Sequence, residues 1–366
     1  MCTQAQAVSP EAALALEREG NLAGAEGVWK EWLRNHGKDA GAFASLGVVL
    51  SKQEKYEAAA TAYRKALGLN PRLAGIQINL GLAEFKQGHF EAAIAAFRAA
   101  LAAQPENGQA RTLLGLSCYG AKRFAEAVKY LAIEAKADPG NAELRRVLAQ
   151  SCLWAKDYSC ALEEFRQILQ QDPDSAATHV LMGEALDGLS RTPEAIAEFQ
   201  AAAKVAPREP EVNFGLGYLY WKSHQFESAK TAFQSELAVD ANHAQSLAYL
   251  GDIELKANRP DEALMMLNKA VKLQGNIRIA YLDMGTILMQ QKKNPEALAA
   301  LLRAERLDPE QPEAHYRLAR LYREMGNAAA AEKEFAKVRA LHEKTEGDVG
   351  SKMAAPAPSL PPSPPN

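Results

Sequence analysis

Apolar residues along this chain recur at three- and four-residue spacing, in stretches separated by short polar runs such as "KQEK" (52–55), "KQGH" (86–89) and "KANR" (256–259). That spacing predicts amphipathic α-helices. The pattern itself repeats. The stretch that begins at Phe43 returns at His179 and at Tyr281, shifted without a gap by multiples of 34 residues. Ten such units fit end to end from Gln6 to Thr345. Each carries two helical stretches, with the polar run as the turn between them.

Four columns of the repeat carry the physics. One holds only small residues, from Ala13, Gly47, Gly81 and Gly115 through Gly217, Gly251 and Gly285 to Ala319. A second, twelve residues on, is alanine in every unit, from Ala25 to Ala331. A third, four further, is always large and apolar, as at Trp29, Tyr63, Phe97, Leu131, Phe165 and Phe335. The small columns let two antiparallel helices approach closely, because side chains there set the interaxial distance. The large column fills the space beside that contact. The fourth column is proline in six units: Pro71, Pro105, Pro139, Pro173, Pro207 and Pro309. Proline ends a helix and disfavours helix in the residue before it, so it closes each second helix.

This order of columns, seen in one unit as Phe43, Leu46, Gly47, Leu50, Ala59, Tyr63 and Pro71, resembles the tetratricopeptide repeat. The resemblance covers residues 9–345. It implies an all-α fold, an α-solenoid in which about ten helix-turn-helix units form a right-handed superhelix. The first helix of each unit would line a concave groove. Stability would come from stacking between neighbours. The first unit departs most from the pattern, with Ser9, Ala12 and Ala13 in place of larger residues. Its helix start is still marked by Ser9, Pro10 and Glu11.

The ends differ from the array. Residues 1–8 form a short leader whose Ala5-Gln6-Ala7 triplet resembles the end of a cleaved secretory signal. The basic and apolar regions that should precede it are missing. Either the triplet is accidental, or the true start lies upstream of Met1. The compartment, cytoplasmic or exported, stays open between these. From 346 to 366 the chain turns proline-rich ("APAPSLPPSPPN") and is expected to be an extended, solvated tail.

Charge narrows the function class. A formal net charge of −3 and a pI near 6.2 argue against a general nucleic-acid binder, which needs a basic stripe. No run reaches the apolar length of a membrane span. Four cysteines, Cys2, Cys118, Cys152 and Cys160, are too few for a disulfide scaffold. Cys118 and Cys152 share a core column with Leu50, so burial as small apolar side chains is one reading. Cys152 and Cys160 also flank a turn on consecutive helices, which permits a disulfide in an oxidising compartment.

Candidate binding chemistry sits on one stripe of the first helices. In "NFGLGYLYWK" (213–222), Asn213, Leu216, Gly217 and Tyr220 make the core stripe. Phe214, Tyr218 and Trp221 make a second stripe a quarter-turn away, which in the resembling family lines the groove. Followed along the chain, that stripe offers Ile78, Leu82 and Phe85, then Leu116 and Tyr119, then Arg146 and Gln150. Glu184 and Asp187 follow, then the aromatic trio, Asp252, Leu282 and Met289, and last Tyr316, Arg320 and Arg323. Apolar anchors between charged zones suit a peptide or an amphipathic helix of a partner protein. The competing reading is that the large side chains only pack against the next first helix. The Lys and Asn set with which some tetratricopeptide proteins capture a carboxyl terminus is not found.

No catalytic constellation, cofactor motif or metal-ligand spacing stands out. The seven histidines are scattered. His179 and His315 occupy the column of Phe43 and are expected in the core. "GLG" at Gly215–Gly217 lies inside a helix, without the strand and turn a phosphate loop needs. The reading is a non-enzymatic scaffold that binds protein partners. Two alternatives are a docking module for a separate enzyme such as a glycosyltransferase, and a periplasmic or secreted envelope assembly factor.

Overall fold

A computed structural model describes residues 8–73 and 75–354. Among them are twenty α-helices and no strand. The chain divides into two units, the first ending at Arg191 and the second starting at Thr192. The first holds α1 (Pro10–Arg18), α2 (Leu22–Asn35), α3 (Ala40–Lys52), α4 (Tyr56–Leu69), α5 (Ile76–Lys86), α6 (Phe90–Ala103), α7 (Gly108–Gly120), α8 (Phe124–Ala137), α9 (Ala142–Trp154), α10 (Tyr158–Gln171) and α11 (Ala176–Gly188). The second holds α12 (Thr192–Val205), α13 (Val212–Lys222), α14 (Phe226–Val239), α15 (Ala244–Lys256), α16 (Pro260–Leu273), α17 (Arg278–Gln290), α18 (Asn294–Leu307), α19 (Pro312–Glu324) and α20 (Ala328–Ala354). Helix α20 runs past the boundary expected at 345. Most of the expected leader, and the proline-rich tail from 355 on, lie outside the described residues.

Local chemistry sets the helix ends. Side chains of Ser9, Asn21, Asp39, Asn107, Asn141 and Asp157 accept bonds from backbone N–H groups of the first turn, satisfying donors that the helix leaves open. The first helices stop at a residue in the left-handed region. These residues fall in one column: Gly20, Glu54, Gly88, Lys122, Lys156, Ser190, His224, Asn258, Lys292 and Gly326. The residue after each turns back onto the helix. Lys55 N–H donates to the Leu50 carbonyl at 2.9 Å, and Asp157 N–H to the Cys152 carbonyl at 2.9 Å. This is the Schellman closure, which glycine suits best. In most hairpins here a charged or polar side chain occupies the position instead.

Within each unit the helices of a hairpin pack through the small and large columns. A Cβ built on Gly81 would stand 2.6 Å from the Phe97 ring, and one on Gly217 2.7 Å from Phe233. Gly47 meets Tyr63, Gly251 meets Leu267 and Gly285 meets Leu301 in the same way. Phe97, Phe233, Leu267 and Leu301 are wholly buried, and so are the alanines of the second column from Ala25 to Ala297.

The proline column carries a device that its residue type alone does not announce. Each proline carbonyl is met by a side chain six residues on, at the start of the next first helix. Gln77, Arg111, Arg145, His179, Asn213 and His315 donate to the carbonyls of Pro71, Pro105, Pro139, Pro173, Pro207 and Pro309, at 2.6 to 3.2 Å. An open carbonyl after a helix end is thereby satisfied. This accounts for the polar residues in a column that elsewhere holds Phe43, Leu247 and Tyr281. It also corrects the expectation for His179, which is half-buried at this edge; His315 is buried as expected.

Two further readings resolve here. Tyr220, expected in the core, is half-buried, and its hydroxyl accepts from Gln200 Nε2 at 2.7 Å. Cys152 and Cys160 are joined as a disulfide with their Cα atoms 5.7 Å apart, tying α9 to α10. Cys118 is a free, buried thiol, and burial pushes its pKa up to about 11.

Candidate functional site

In the second unit the aromatic stripe of α13 closes on the next first helix. Phe214, Tyr218 and Trp221 surround Tyr249 of α15, with ring centroids 6.0, 5.7 and 4.9 Å from it. Tyr249 in turn stacks on the core ring of Phe233 at 5.5 Å. All four of the first-helix rings are half-buried. The rings pack against the neighbouring first helix, and each still presents surface.

Trp221 has a polar role as well. Its Nε1 donates to Asp252 Oδ2 at 2.5 Å, and Lys256 lies 5.4 Å from the ring centroid while pairing with the other carboxylate oxygen. Asp252, expected as a groove acid, is only 3% exposed and is spent on these two partners. Leu282, the next residue of the stripe along the chain, is also buried. Burial, reinforced by the charge of Asp252, holds the carboxyl of Asp283 on α17 well above the usual carboxylate range. Burial likewise pushes the Tyr249 phenol up to about 12, so its hydroxyl stays protonated at neutral pH.

Beside the rings lies a cavity of about 450 Å³, within the usual size range of ligand pockets. Phe214, Tyr218 and Tyr249 form its aromatic wall. Gln245 lines it too, and its far side is the start of α17, including Asn276 and Arg278. A second cavity, of about 520 Å³, lies between α17 and α19, where Met289, Tyr316, Arg317 and Arg320 meet Glu313 and Glu324. Arg323 does not join it; its guanidinium sits 5.9 Å from the Phe335 ring.

In the first unit the stripe is less gathered. Phe85 packs edge-on against Phe90 at 5.6 Å, and Leu116 and Ile78 are half-buried. Leu82 is exposed. Tyr119 stacks on Trp154 at 5.5 Å and donates its hydroxyl to Gln150 Oε1 at 2.7 Å. Arg146 is exposed and pairs with Glu143 on its own helix at 2.8 Å. Glu184 is exposed and Asp187 half-buried.

Trp154 did not stand out in the sequence, yet it is 46% exposed. One period before and after it stand Gly120 and Gly188, each covered by the first ring of a second helix, Phe90 and Tyr158. A tryptophan cannot tuck beneath the equivalent ring of Phe124. It lies beside that ring instead, at 5.0 Å. Tyr249 and Arg278 were also missed. Tyr249 lies one residue off the stripe, and Arg278 lies at the very start of its helix.

Among the described residues one cluster has metal-ligand composition: Glu305, His315 and Glu334. His315 Nδ1 faces Glu334 Oε2 at 2.6 Å, and its Nε2–H donates to the Pro309 carbonyl. The position between the two carboxylates is already held by the Lys337 ammonium, 2.8 Å from Glu305 and 3.0 Å from Glu334. The cluster is an ion-pair network tying α18, α19 and α20 together. Among the described residues no helix is long and apolar enough to cross a membrane.

Family models match this chain over most of its length. Those described as "Tetratricopeptide repeat" match residues 78–142 and 214–276, 119–184 and 153–213, and 316–349; one described as "TPR repeat" matches 47–88 and 285–326. Among curated proteins, anaphase-promoting complex subunit 3 of Schizosaccharomyces pombe is 23% identical over 137 residues, 37% of this chain. The peroxisomal targeting signal receptor of Kluyveromyces lactis is 27% identical over 120 residues, 32% of this chain. Each aligned stretch spans 21% of the relative's own length. Among solved structures, the APC/C Cut9–Hcn1 hetero-tetramer is similar with a TM-score of 0.52 at 14% identity, covering 90% of this chain and 80% of that one. The C-terminal part of a TPR repeat-containing protein from Cytophaga hutchinsonii is similar at 0.51 and 18% identity, covering 66% of this chain and 98% of that one. At these identities the likeness is one of fold.

Proposed function

Because the chain belongs to the tetratricopeptide repeat family, we propose that it is a non-enzymatic scaffold that holds a segment of a partner protein on the first-helix face of its second unit. The observation that carries this reading is the set of half-buried rings Phe214, Tyr218, Trp221 and Tyr249 beside an open cavity. Rings that are rigid and already partly desolvated add contact area at small entropic cost, which is how aromatic anchors come to dominate interfaces. The cavity beside Arg320 and Tyr316 offers a second contact for a longer segment. Phe85, Leu116, Tyr119, Arg146 and Glu184 are the corresponding candidates on the first unit, and Arg323 on the last first helix. Two similar proteins named for a multi-subunit complex and for a targeting signal receptor support a binding role, without indicating which partner this chain takes.

The test is affinity capture by the full chain, followed by reconstitution of the captured protein with purified components. A Phe214→Ala/Tyr218→Ala variant with an unchanged helical circular dichroism spectrum should lose the reconstituted complex. Undiminished binding by that variant would move the site elsewhere. Turnover of a substrate by the purified chain alone would overturn the scaffold reading.

A further inference from the structure

The cavity beside the rings carries chemistry that goes beyond a generic apolar anchor. Of its nine lining residues, Arg278 is the only charged one. Arg278 is half-buried, and its Nη1 atom is shielded from water with no hydrogen-bond partner among the described residues. A guanidinium nitrogen left in that state is costly, because burial removes its hydration and nothing replaces it. Arg111, Arg145 and Arg317, on other first helices, are each ion-paired: Arg111 with Glu134, Arg145 with Glu164, Arg317 with Asp283 and Glu313.

A second, independent feature has the same sign. Arg278 is the first residue of α17, whose N-cap position, Ile277, offers no side-chain cap and whose first turn holds no acid. The open N–H groups of that turn and the helix dipole add positive potential to the same wall of the cavity. Opposite stand Phe214, Tyr218 and the protonated Tyr249, which bring no charge. Gln245, Gln274 and Asn276 complete the lining with side-chain amides, each able to both donate to and accept from an extended peptide backbone.

We infer that this cavity selects an extended peptide segment in which an acidic side chain stands next to an aromatic one, the carboxylate pairing with Arg278 at the start of α17 and the ring packing against the wall formed by Phe214, Tyr218 and Tyr249. The inference rests on the reading that this face holds a partner segment, and it names the chemistry of that segment. Guanidinium and carboxylate match in a two-pronged geometry that lysine does not reproduce.

The experiment uses the full chain and two blocked tetrapeptides, acetyl-Gly-Phe-Glu-Gly-amide and acetyl-Gly-Phe-Gln-Gly-amide, titrated calorimetrically. The acidic peptide should bind at least about tenfold more tightly, in line with a charge-assisted bond. Arg278→Gln should reduce its affinity to that of the glutamine peptide, and Arg278→Lys should restore only part. Tyr218→Ala should weaken both peptides alike. Equal affinity of the two peptides for the native chain, or indifference to Arg278→Gln, would overturn the inference. If both bind equally and both depend on Tyr218, the acid selection fails while the partner-binding reading stands. If acetyl-Gly-Phe with a free carboxyl terminus binds more tightly than the internal acidic peptide, the cavity reads a chain end and the inference is wrong.

Discussion

Gly81 on α5 lies directly under the ring of Phe97 on α6, so close that a single added carbon would stand 2.6 Å from ring atom Cε1. The ring cannot yield, because Phe97 is wholly buried. Gly81→Ala should therefore destabilise the chain by about 1–3 kcal/mol, despite alanine's better helix propensity. Gly27 on α2 is the control, since a carbon added there meets nothing within 4 Å. Gly27→Ala should stabilise by about 1 kcal/mol. Urea unfolding of the two variants checks the opposite signs.

Seven of the ten hairpin turns hold a side chain in the left-handed region, Lys292 at φ 62° among them. That conformation costs an L-residue roughly 1 kcal/mol, of which glycine's greater freedom in the unfolded chain takes back a part. Lys292→Gly should raise stability by about 0.5 kcal/mol, and Lys292→Val should lower it by more than that. Thermal unfolding followed by circular dichroism distinguishes them.

Acid should weaken the first unit through Glu26. Its bond to Lys30, helped by one to Lys55, holds the carboxyl down at about 2. A folded-state value below the unfolded one contributes stability above the ordinary glutamate range, lost as pH falls from about 4 toward 2. With both lysines half in water, the contribution is about 1 kcal/mol. Glu26→Gln should be less stable at pH 7 and should flatten the acid limb of the stability curve between those values.

Trp221→Phe keeps a ring against Tyr249 but removes the donor to Asp252, leaving a buried carboxylate with Lys256 alone. The expected cost is about 1–3 kcal/mol. Adding Asp252→Asn should recover part of it, because the amide is cheaper to leave underpaired. A double-variant cycle by chemical denaturation measures the coupling.

The repeat was legible because its columns answer to contacts every unit must make. Small, alanine and large positions recur at Gly81, Ala93 and Phe97 since each hairpin packs the same way, and twenty helices follow from that alone. The candidate site was only partly legible. Phe214, Tyr218 and Trp221 were found by helical spacing within one segment. Tyr249 and Arg278 come from later segments, and no periodicity marks them, because their meeting depends on how α13, α15 and α17 line up. Asp252 was expected to be an acid open to the groove, and it is buried. Its burial follows from Trp221 and Lys256 closing over it, which spacing on one helix does not reveal. The proline caps were hidden for a chemical reason: glutamine, arginine, histidine and asparagine share little except an N–H donor able to reach back six residues.

The clasp between Trp221 and Asp252 gives the chain an optical label. Trp29, Trp32 and Trp154 belong to the first unit, and Trp221 is the only tryptophan of the second. Replacing the other three leaves one fluorophore whose emission colour reports whether its indole is still hydrogen-bonded and shielded. Melting of the second unit, or arrival of a peptide beside Tyr218, could then be followed as a spectral shift from a single native chromophore, with no dye attached.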